Sequence, residues 1–474
     1  MSNDLASKTI EELAPLIRGR EISPVEVTEA VLERTTAYDE KINAFIRLSK
    51  EEAMKEAIKA EKEMMEGKYR GRLHGIPMAL KDNLYFKNET VTIGSKIHQD
   101  FVPDYDATVV AKLKEAGVIF TGKLNMHEYA WGATTTNPHF GACRNPWNTE
   151  KIPGGSSGGS GAAVVSDMTI ASLGTDTGGS IRIPASMCGI VGLKPTHGRI
   201  SKYGCFPLSW SLDHIGPMTK SVYDSALLLE VLAGYDSKDP TSIHTPVKDY
   251  TKLLSADLSE TVVGINEEYF FNNVDKQVED AVRHAIKQLE QLGAKIETVK
   301  IPSLQYSEFA ELVTIVTEAS AIHHDNLVSR PEDFGDDVRF LLEFGELPSA
   351  VDYIQAQQIR YQLNIDFAQT FEKVDVLISP TLPFLPPNIG DSTVDINGNK
   401  YSFLDQVIRF TGPGNITGLP SLSIPCGLSG KLPIGMQIMG PAFKEENVLN
   451  VAYAYEKTNA LQGKKPNLDE IASK

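Results

Sequence analysis

Short apolar segments alternate with helical segments through most of this chain. The segments IPMALK (76–81) and VIFTGK (118–123) have the length and composition of buried strands, and a helical segment capped by Asp106 lies between them. The alternation returns from VVGIN (262–266) to IGMQIMG (434–440). Helices that alternate with buried strands predict an α/β fold built on a central sheet.

The 474 residues contain neither an internal repeat nor an obvious linker. We therefore predict one large domain, residues 1–474, in which residues 1–66 form an N-terminal helical layer. Within that layer, Ser23 and Pro24 supply an N-cap followed by proline at the first helical position, and residues 50–65 have the pattern of an amphipathic helix.

The composition argues against several classes of protein. A net charge of −16 repels phosphate, so a nucleic acid is not expected as a direct partner. The four cysteines form no C-x-x-C pair, which indicates neither a zinc nor a redox motif and fits reduced thiols. The N-terminus lacks the apolar core of a signal peptide, and no apolar run of ~18 residues predicts a membrane span. We therefore expect a cytoplasmic protein with no membrane partner.

Residues 154–161 read GGSSGGSG, a run of glycine and serine only. A flexible linker has this composition, but the run lies in an apolar region and is followed by AAVV (162–165), which has the pattern of a buried helix start. A phosphate-binding loop would end in Gly-Lys-Ser or Gly-Lys-Thr, which is absent. The G-x-S-x-G of a nucleophile elbow fits residues 155–159, but that fold needs a late histidine and the last one here is His324. A third functional interpretation remains, in which a serine of this run acts together with a second serine elsewhere in the chain.

A second glycine-rich block follows as GTDTGGSIRIPA (174–185). The two glycines before Ser180 let the backbone turn sharply, so that several N–H groups point one way and stabilise the oxyanion of an acyl-transfer intermediate. The pattern fits a nucleophilic serine beside its own oxyanion hole, and it fits a plain glycine-rich turn equally well. Asp176 and Arg182 flank the turn and are expected to hold its shape through an ion pair or hydrogen bonds.

A nucleophilic serine needs a base, and Lys81 is the candidate. It directly follows an apolar strand, where burial would lower the pKa of its amine and leave part of it neutral. For this lysine taken alone, a surface position at the end of a strand is the alternative.

Three blocks together resemble the amidase signature family: ALKDN (79–83), GGSSGGS (154–160) and GTDTGGS (174–180). Their order and spacing also agree with that family, and the likeness extends to LPIGMQIMG (432–440) near the end. The resemblance implies a mixed central β-sheet covered by helices on both sides. It further implies an amidase that acts on a small-molecule amide through an acyl-enzyme, needs no cofactor and no metal ion, and forms a homodimer.

The resemblance also assigns roles to residues of this chain. Ser180 corresponds to the nucleophile that is acylated, Ser156 to a bridging serine whose peptide bond is cis in the family, and Lys81 to the general base. The positions of the oxyanion hole and of the acyl pocket correspond to Thr177, Gly178, Gly179 and Trp131. For the tryptophan, a place in the hydrophobic core is the alternative.

Two functions fit this resemblance. The first is a free-standing amidase that hydrolyses amides, and also esters, anilides or carbamates. The second is the A subunit of glutamyl-tRNA(Gln) amidotransferase, a glutaminase inside an assembly, to which the chain is similar in VGLKPT (191–196). That subunit usually has an acidic residue in place of His127, a glutamine in place of Ile183, and a basic cluster where residues 333–353 are acidic here. These departures favour the free-standing hydrolase.

Overall fold

A large sheet forms the centre of the computed structural model, which describes residues 2–458, 461 and 463–472. Within these residues, eleven strands join side by side, and two pairs of short strands stand apart from them. In chain order the strands are β1 (Phe45–Leu48), β2 (Pro77–Lys81), β3 (Ile119–Leu124), β4 (Thr136–Asn137), β5 (Gly141–Ala142), β6 (Ala171–Asp176), β7 (Val191–Lys194), β8 (His214–Thr219), β9 (Val262–Ile265), β10 (Lys295–Thr298), β11 (Val376–Pro380), β12 (Thr393–Ile396), β13 (Asn399–Ser402), β14 (Ser421–Ser429) and β15 (Leu432–Met439).

The strand order of the sheet is β1-β3-β2-β6-β8-β7-β14-β15-β11-β9-β10. Strand β2 runs parallel to β3 and β6, and β9 runs parallel to β10 and β11. The strands between these two groups pair in antiparallel fashion, as β1 does with β3. The sheet is therefore mixed, as predicted.

Helices precede, connect and follow the strands. In chain order they are α1 (Ser2–Ser7), α2 (Ile10–Gly19), α3 (Pro24–Ile42), α4 (Lys50–Met65), α5 (Thr108–Glu115), α6 (Gly158–Val165), α7 (Arg182–Cys188), α8 (Val222–Leu232), α9 (Tyr250–Leu253), α10 (Glu267–Phe270), α11 (Lys276–Gln291), α12 (Ser307–Ser329), α13 (Asp336–Phe344), α14 (Ala350–Thr370), α15 (Phe403–Val407), α16 (Gly412–Ile416), α17 (Glu445–Thr458) and α18 (Leu468–Ala472). None of the helices in the described ranges is long and apolar enough to cross a membrane.

Helices pack on both faces of the sheet. Alternate residues of a strand point to opposite faces, and in β2 Met78 and Leu80 join one apolar cluster with residues of α5, α8 and α17. Ala79, which lies between them, joins a second cluster with Ala162 of α6. The predicted cover of helices on both sides is thus confirmed, and α6 lies on the face to which Ala79 points.

The cap of α3 follows the sequence pattern. Ser23 Oγ accepts a hydrogen bond from Val25 N at 2.9 Å, the Glu26 carboxylate accepts one from Ser23 N at 2.7 Å, and Pro24 takes the first helical position. These contacts satisfy donors that the first turn of a helix otherwise leaves free.

Two details of the sequence prediction were wrong. Helix α5 begins at Thr108 and has no side-chain cap, because the Asp106 carboxylate instead accepts hydrogen bonds from Lys87 N and from the Lys114 amine. Residues 162–165 are the end of α6, which already begins at Gly158, inside the glycine–serine run. The first two residues of this helix are glycines that close packing requires, as described below.

Candidate active site

The carboxyl ends of β2 and β6 bring a lysine and a threonine together. The two strands are parallel neighbours in which Leu80 pairs with Leu173, so both end at the same edge of the sheet. Lys81, the last residue of β2, donates from Nζ to Thr175 Oγ1 at 2.8 Å. The amide of Asn83 donates to the same hydroxyl at 3.1 Å.

Lys81 is a buried lysine and not a surface residue, since its exposed fraction is 0%. Its Nζ donates a second hydrogen bond to Ser156 Oγ at 2.7 Å. Burial removes water from the ammonium group and lowers the pKa of Lys81 to about 7. The amine can therefore lose its proton near neutral pH, whereas an ordinary lysine stays charged.

The glycine–serine run is a packed turn that leads into α6. A Cβ atom at Gly158 would lie 2.4 Å from Thr135 Oγ1, and one at Gly159 would lie 2.4 Å from Asn125 O. Neither position has room for a side chain, so glycine is required by close approach to neighbouring groups. The flexible-linker interpretation of this run is therefore excluded.

Ser156 lies in this turn with no exposed surface. The Gly155–Ser156 peptide bond is cis. The Ser156 hydroxyl accepts its hydrogen bond from Lys81, and no histidine side chain in the described part of the chain forms a hydrogen bond with it. The arrangement differs from a nucleophile elbow, in which a histidine activates the serine.

The turn between β6 and α7 carries Ser180. Gly179 adopts φ = +138°, and a Cβ atom there would lie 2.4 Å from Thr411 Oγ1. Gly178 O accepts a hydrogen bond from the same hydroxyl at 2.5 Å, which fixes the turn. The N–H groups of Gly178, Gly179 and Ser180 donate to no acceptor among the described residues. Free N–H donors gathered beside a serine hydroxyl provide the donors that an oxyanion hole needs.

An ion pair below this turn holds it in place. Asp176 Oδ1 lies 2.9 Å from Arg182 Nη2, Oδ2 lies 3.0 Å from Arg182 Nε, and neither side chain is exposed. Asp176 Oδ2 also accepts a hydrogen bond from Ile181 N at 3.1 Å. Burial opposes the charged carboxylate, but Arg182 outweighs this effect and lowers the pKa of Asp176 to about 2. Arg182 extends the network to Asn415 and Gln437.

Ser180 differs from the other two residues of the predicted triad in its access to a cavity. Lys81 and Ser156 are fully buried, whereas Ser180 is 8% exposed and lines the cavity. Within the described residues, no hydrogen bond joins the hydroxyl groups of Ser156 and Ser180, although Ser157 N donates to Ser180 O at 3.3 Å. Lys81 and Ser156 thus lie behind the cavity wall, and Ser180 is part of that wall.

The cavity above Ser180 has a volume of about 480 Å³ and a mainly apolar wall. Thr177 and Gly178 belong to its lining, as does Trp131, whose indole N–H has no partner among the described residues. The other large apolar side chains of the wall include Ile183, Leu312, Ile315, Phe340, Phe344 and Ile408. A cavity of this size and character fits a small apolar ligand.

Two of the departures from the amidotransferase pattern, His127 and the acidic segment 333–353, lie in contact. His127 Nε2 lies 2.9 Å from the carboxylate of Asp337, near the start of α13, and the imidazole is buried. The structure thus brings two of these departures together in one hydrogen-bonded pair. The third departure, Ile183, lies at the cavity wall.

Sequence reasoning did not single out Thr175 or Glu311. Thr175 lies inside a block that resembles the family, and its hydroxyl contacts Lys81. Glu311 lines the cavity from α12, distant in sequence from every motif. In the described ranges, no group of three or more His, Cys, Asp or Glu side chains is arranged as metal ligands.

Comparison with known proteins identifies the family. The sequence profile of the family described as Amidase matches residues 26–449. The chain therefore belongs to the amidase signature family, whose members act on amide bonds.

The proteins that are similar to this chain carry different names. The glutamyl-tRNA(Gln) amidotransferase A subunit of Geotalea daltonii is 41% identical over 96% of this chain and 97% of its own length. A structure solved in a study of the evolutionary origins of an s-triazine catabolic enzyme superposes with a TM-score of 0.91 at 33% identity, over 95% of this chain and 98% of that one. A bacterial aryl acylamidase superposes with a TM-score of 0.89 at 27% identity, over 98% of this chain and 99% of that one.

Proposed function

We propose that this enzyme hydrolyses amides with apolar substituents, through a relay from Ser180 to Ser156 to Lys81. The observation that carries the proposal is the buried hydrogen bond between Lys81 and Ser156 directly beneath the apolar cavity that Ser180 lines. A buried amine with a pKa of about 7 is a suitable base for this task, because it is partly neutral at the pH of the reaction.

The reaction begins with proton transfer. Neutral Lys81 takes the proton of the Ser156 hydroxyl, Ser156 takes that of Ser180, and Ser180 Oγ attacks the amide carbonyl carbon. The free N–H groups of the 178–180 turn hold the oxyanion that forms. The proton then returns through Ser156 to the amide nitrogen, the C–N bond breaks, and the amine leaves an acyl-enzyme behind. Attack by water on the acyl-enzyme releases the acid and restores Ser180.

The wall of the cavity supports the choice of substrate. Ile183 and Ile408 lie beside the catalytic turn, and Trp131 and Phe344 are among the aromatic groups of the wall. Apolar surface favours an apolar acyl or amine group, since each buried CH₂ contributes about 0.8 kcal/mol. Aryl and alkyl amides carry such apolar groups. Esters, anilides and carbamates also contain a carbonyl group that Ser180 can attack.

The second candidate is the glutaminase component of a glutamyl-tRNA(Gln) amidotransferase. Overall sequence similarity favours it over the free-standing amidase, because the relative with that name is 41% identical whereas the aryl acylamidase is 27% identical. The local site supports the free-standing amidase instead. Glutamine carries a charged carboxylate that needs a cationic partner, and the one guanidinium of the cavity lining, that of Arg409, already donates to Asn272 O and lies 3.7 Å from Glu308.

Hydrolysis by the purified chain alone tests the proposal and separates the two candidates. We would measure product release from an aryl anilide, an aliphatic amide, a carbamate, an ester and free glutamine, with wild type and with Ser180→Ala. We expect turnover of the apolar amides and a loss of at least roughly 10⁴-fold in the variant. Ser160→Ala is the matched control, because Ser160 lies in the same glycine–serine run and its hydroxyl points to Leu173 O.

Two results would replace or refute the proposal. Turnover of glutamine only, or turnover that appears only with added partner subunits, would establish the second candidate. Amide hydrolysis that survives Ser180→Ala would refute the relay. Sedimentation of the same preparation tests the predicted homodimer.

A further inference from the structure

A buried carboxylate without a partner lies in the wall of the cavity. Glu311, in the second turn of α12, is 2% exposed and belongs to the lining. Neither of its carboxylate oxygens has a hydrogen-bond partner among the described residues. Burying such a group without a partner is costly, so its place in the cavity calls for a functional explanation.

Glu311 lies against the backbone of the catalytic turn. A Cβ atom at Gly178 would lie 3.4 Å from Glu311 Oε1, and one at Gly412 would lie 3.3 Å from Glu311 Cγ. A side chain at either glycine would therefore contact the side chain of Glu311, so both turns lie next to it. Gly178 is two residues before Ser180, and Glu311 and Ser180 line the same cavity.

A second buried glutamate on the same helix, Glu318, has a structural role and serves as a comparison for the hydrogen bonding of Glu311. Glu318 is 5% exposed, and it accepts hydrogen bonds from Ser209, Ser211 and Tyr353 at 2.6–2.9 Å. Glu311 has no comparable partner among the described residues, and burial raises its pKa well above the ordinary value. An ammonium group placed beside Glu311 would offset the cost of its burial and favour the charged form of the carboxylate.

The charged groups around the cavity make it acidic. Its lining contains the carboxylates of Glu308, Glu311 and Asp405, and one guanidinium, that of Arg409. Arg409 is already engaged, because its Nη2 donates to Asn272 O at 2.9 Å and its Nε lies 3.7 Å from Glu308. An entering anion would therefore be repelled, and an entering cation would be attracted.

The other cations near Glu311 are committed elsewhere. Arg182 is held by Asp176, Arg360 donates to Ser211 at 3.0 and 3.2 Å, and Lys194 donates to Leu419 O at 2.6 Å. All three reduce the cost of a charge at Glu311 through space, but none forms an ion pair with it among the described residues. A cationic or N–H-bearing ligand group would supply the contact that these residues do not.

We propose that Glu311 is a specificity-determining residue that binds an amino group next to the scissile carbonyl. The preferred substrates are then amides with an apolar body and an amino group on the α or β carbon of the acyl chain. The ammonium donates to the Glu311 carboxylate while the apolar body packs on the wall that includes Trp131 and Phe344. The inference rests on the proposed hydrolysis at Ser180 and adds a substrate class to it.

Matched pairs of anilides test this inference by release of aniline. Phenylalanine anilide and β-phenylalanine anilide are each compared with phenylpropanoic acid anilide, which lacks only the amino group. We expect wild type to prefer at least one amino substrate by about 30-fold in kcat/KM, and Glu311→Gln to abolish that preference. The amide of glutamine keeps the shape of the side chain and removes the charge. Glu311→Met serves as a second variant if the first does not fold.

Glu318→Gln is the matched control, because it removes a buried carboxylate of the same helix outside the cavity and should leave the ratio unchanged. Equal turnover of each pair by wild type would overturn the inference, as would a preference that persists in both Glu311 variants. Hydrolysis of the unsubstituted anilide by wild type shows in either case that the proposed amidase function holds. Failure of every anilide would instead count against that function.

Discussion

At the residue scale, the titration of Lys81 decides when the proposed relay works. A base acts in its neutral form, and burial lowers the pKa of Lys81 to about 7. We therefore expect kcat/KM to rise with pH and to level off above an apparent pKa of about 7. Lys81→Met should lose at least roughly 1,000-fold in kcat/KM, and Lys81→Arg should be equally inactive because a guanidinium stays protonated. A pH–rate series on an apolar amide measures both effects.

Lys123 offers a control for this prediction. It is also buried, on the neighbouring strand β3, and its pKa is lowered to about 8 by burial, but its amine donates to Leu84 O. Lys123→Met should leave the midpoint of the pH profile unchanged. A midpoint that moves with Lys123, or a profile that stays flat through neutral pH in wild type, would contradict the role of Lys81.

The residues of the predicted triad could be found in the sequence because their signals are local. Each lies in a short block, and in two of the blocks close packing requires glycine, as Gly158 and Gly179 show. Glu311 had no such signal. Its place beside Gly178 depends on how α12 packs on the sheet, and a glutamate on a helix usually faces solvent. Sequence reasoning therefore located the residues proposed for the relay but not the group proposed to select the substrate.

At the element scale, one ion pair joins the turn after β6 to the helices and strands around it. Asp176 and Arg182 are fully buried, and the arginine also donates to Asn415 in α16 and Gln437 in β15. Asp176→Asn leaves the guanidinium charge buried without its partner. We expect a loss of about 3 kcal/mol in the free energy of unfolding and a large loss of activity, because the turn loses its support.

Urea unfolding of Asp176→Asn measures this loss, with Glu267→Gln as the control. Glu267 pairs with Arg283 at 2.8 Å on the surface, where the two side chains are 43% and 37% exposed, so its removal should change the free energy of unfolding by less than about 1 kcal/mol. Equal effects of the two substitutions would show that the buried pair does not hold the turn.

The elements themselves were predictable where their pattern is periodic. The helix predicted over 50–65 is α4, Lys50–Met65, and the predicted strands around Lys81 and in 434–440 are present. The order of the strands was not predictable, because β14 and β15 insert between β7 and β11 through contacts far apart in sequence. Capping was less reliable than periodicity, since the Asp106 carboxylate binds Lys87 N and Lys114 instead of the first turn of α5.

At the scale of the whole molecule, buried ionisable groups make the stability depend on pH in two opposite ways. Burial lowers the pKa of His197 and of His323 to about 3, so the unfolded chain binds protons below about pH 6.5 that the folded chain does not. Stability falls as the pH falls through that range. Burial raises the pKa of Asp224 to about 6 and of Glu456 to about 7, and these groups make stability rise as the pH falls.

The two sets of ionisable groups have opposite effects on stability. The contribution of one group is therefore measured as the difference in unfolding free energy between wild type and a variant that lacks this group. His323 packs on Tyr129 with ring centroids 4.2 Å apart, and neither imidazole nitrogen has a partner among the described residues. His323→Phe removes the titration but keeps an aromatic ring. Between about pH 6.5 and about pH 5, we expect the variant to gain about 2 kcal/mol of unfolding free energy relative to wild type. The reason is that folding of the wild-type chain keeps the His323 imidazole neutral, whereas the variant has no imidazole at this position. Urea unfolding at both pH values measures the difference.

The next residue of α12, His324, provides the internal control for this measurement. Its imidazole is exposed and hydrogen-bonded to Glu346, which raises its pKa, so the folded chain holds this proton more firmly than the unfolded chain does. His324→Gln removes that contribution, and its difference from wild type over the same pH range should have the opposite sign. If the two variants shift in the same direction, burial does not lower the pKa of His323, because a lowered pKa at His323 and a raised pKa at His324 must give shifts of opposite sign.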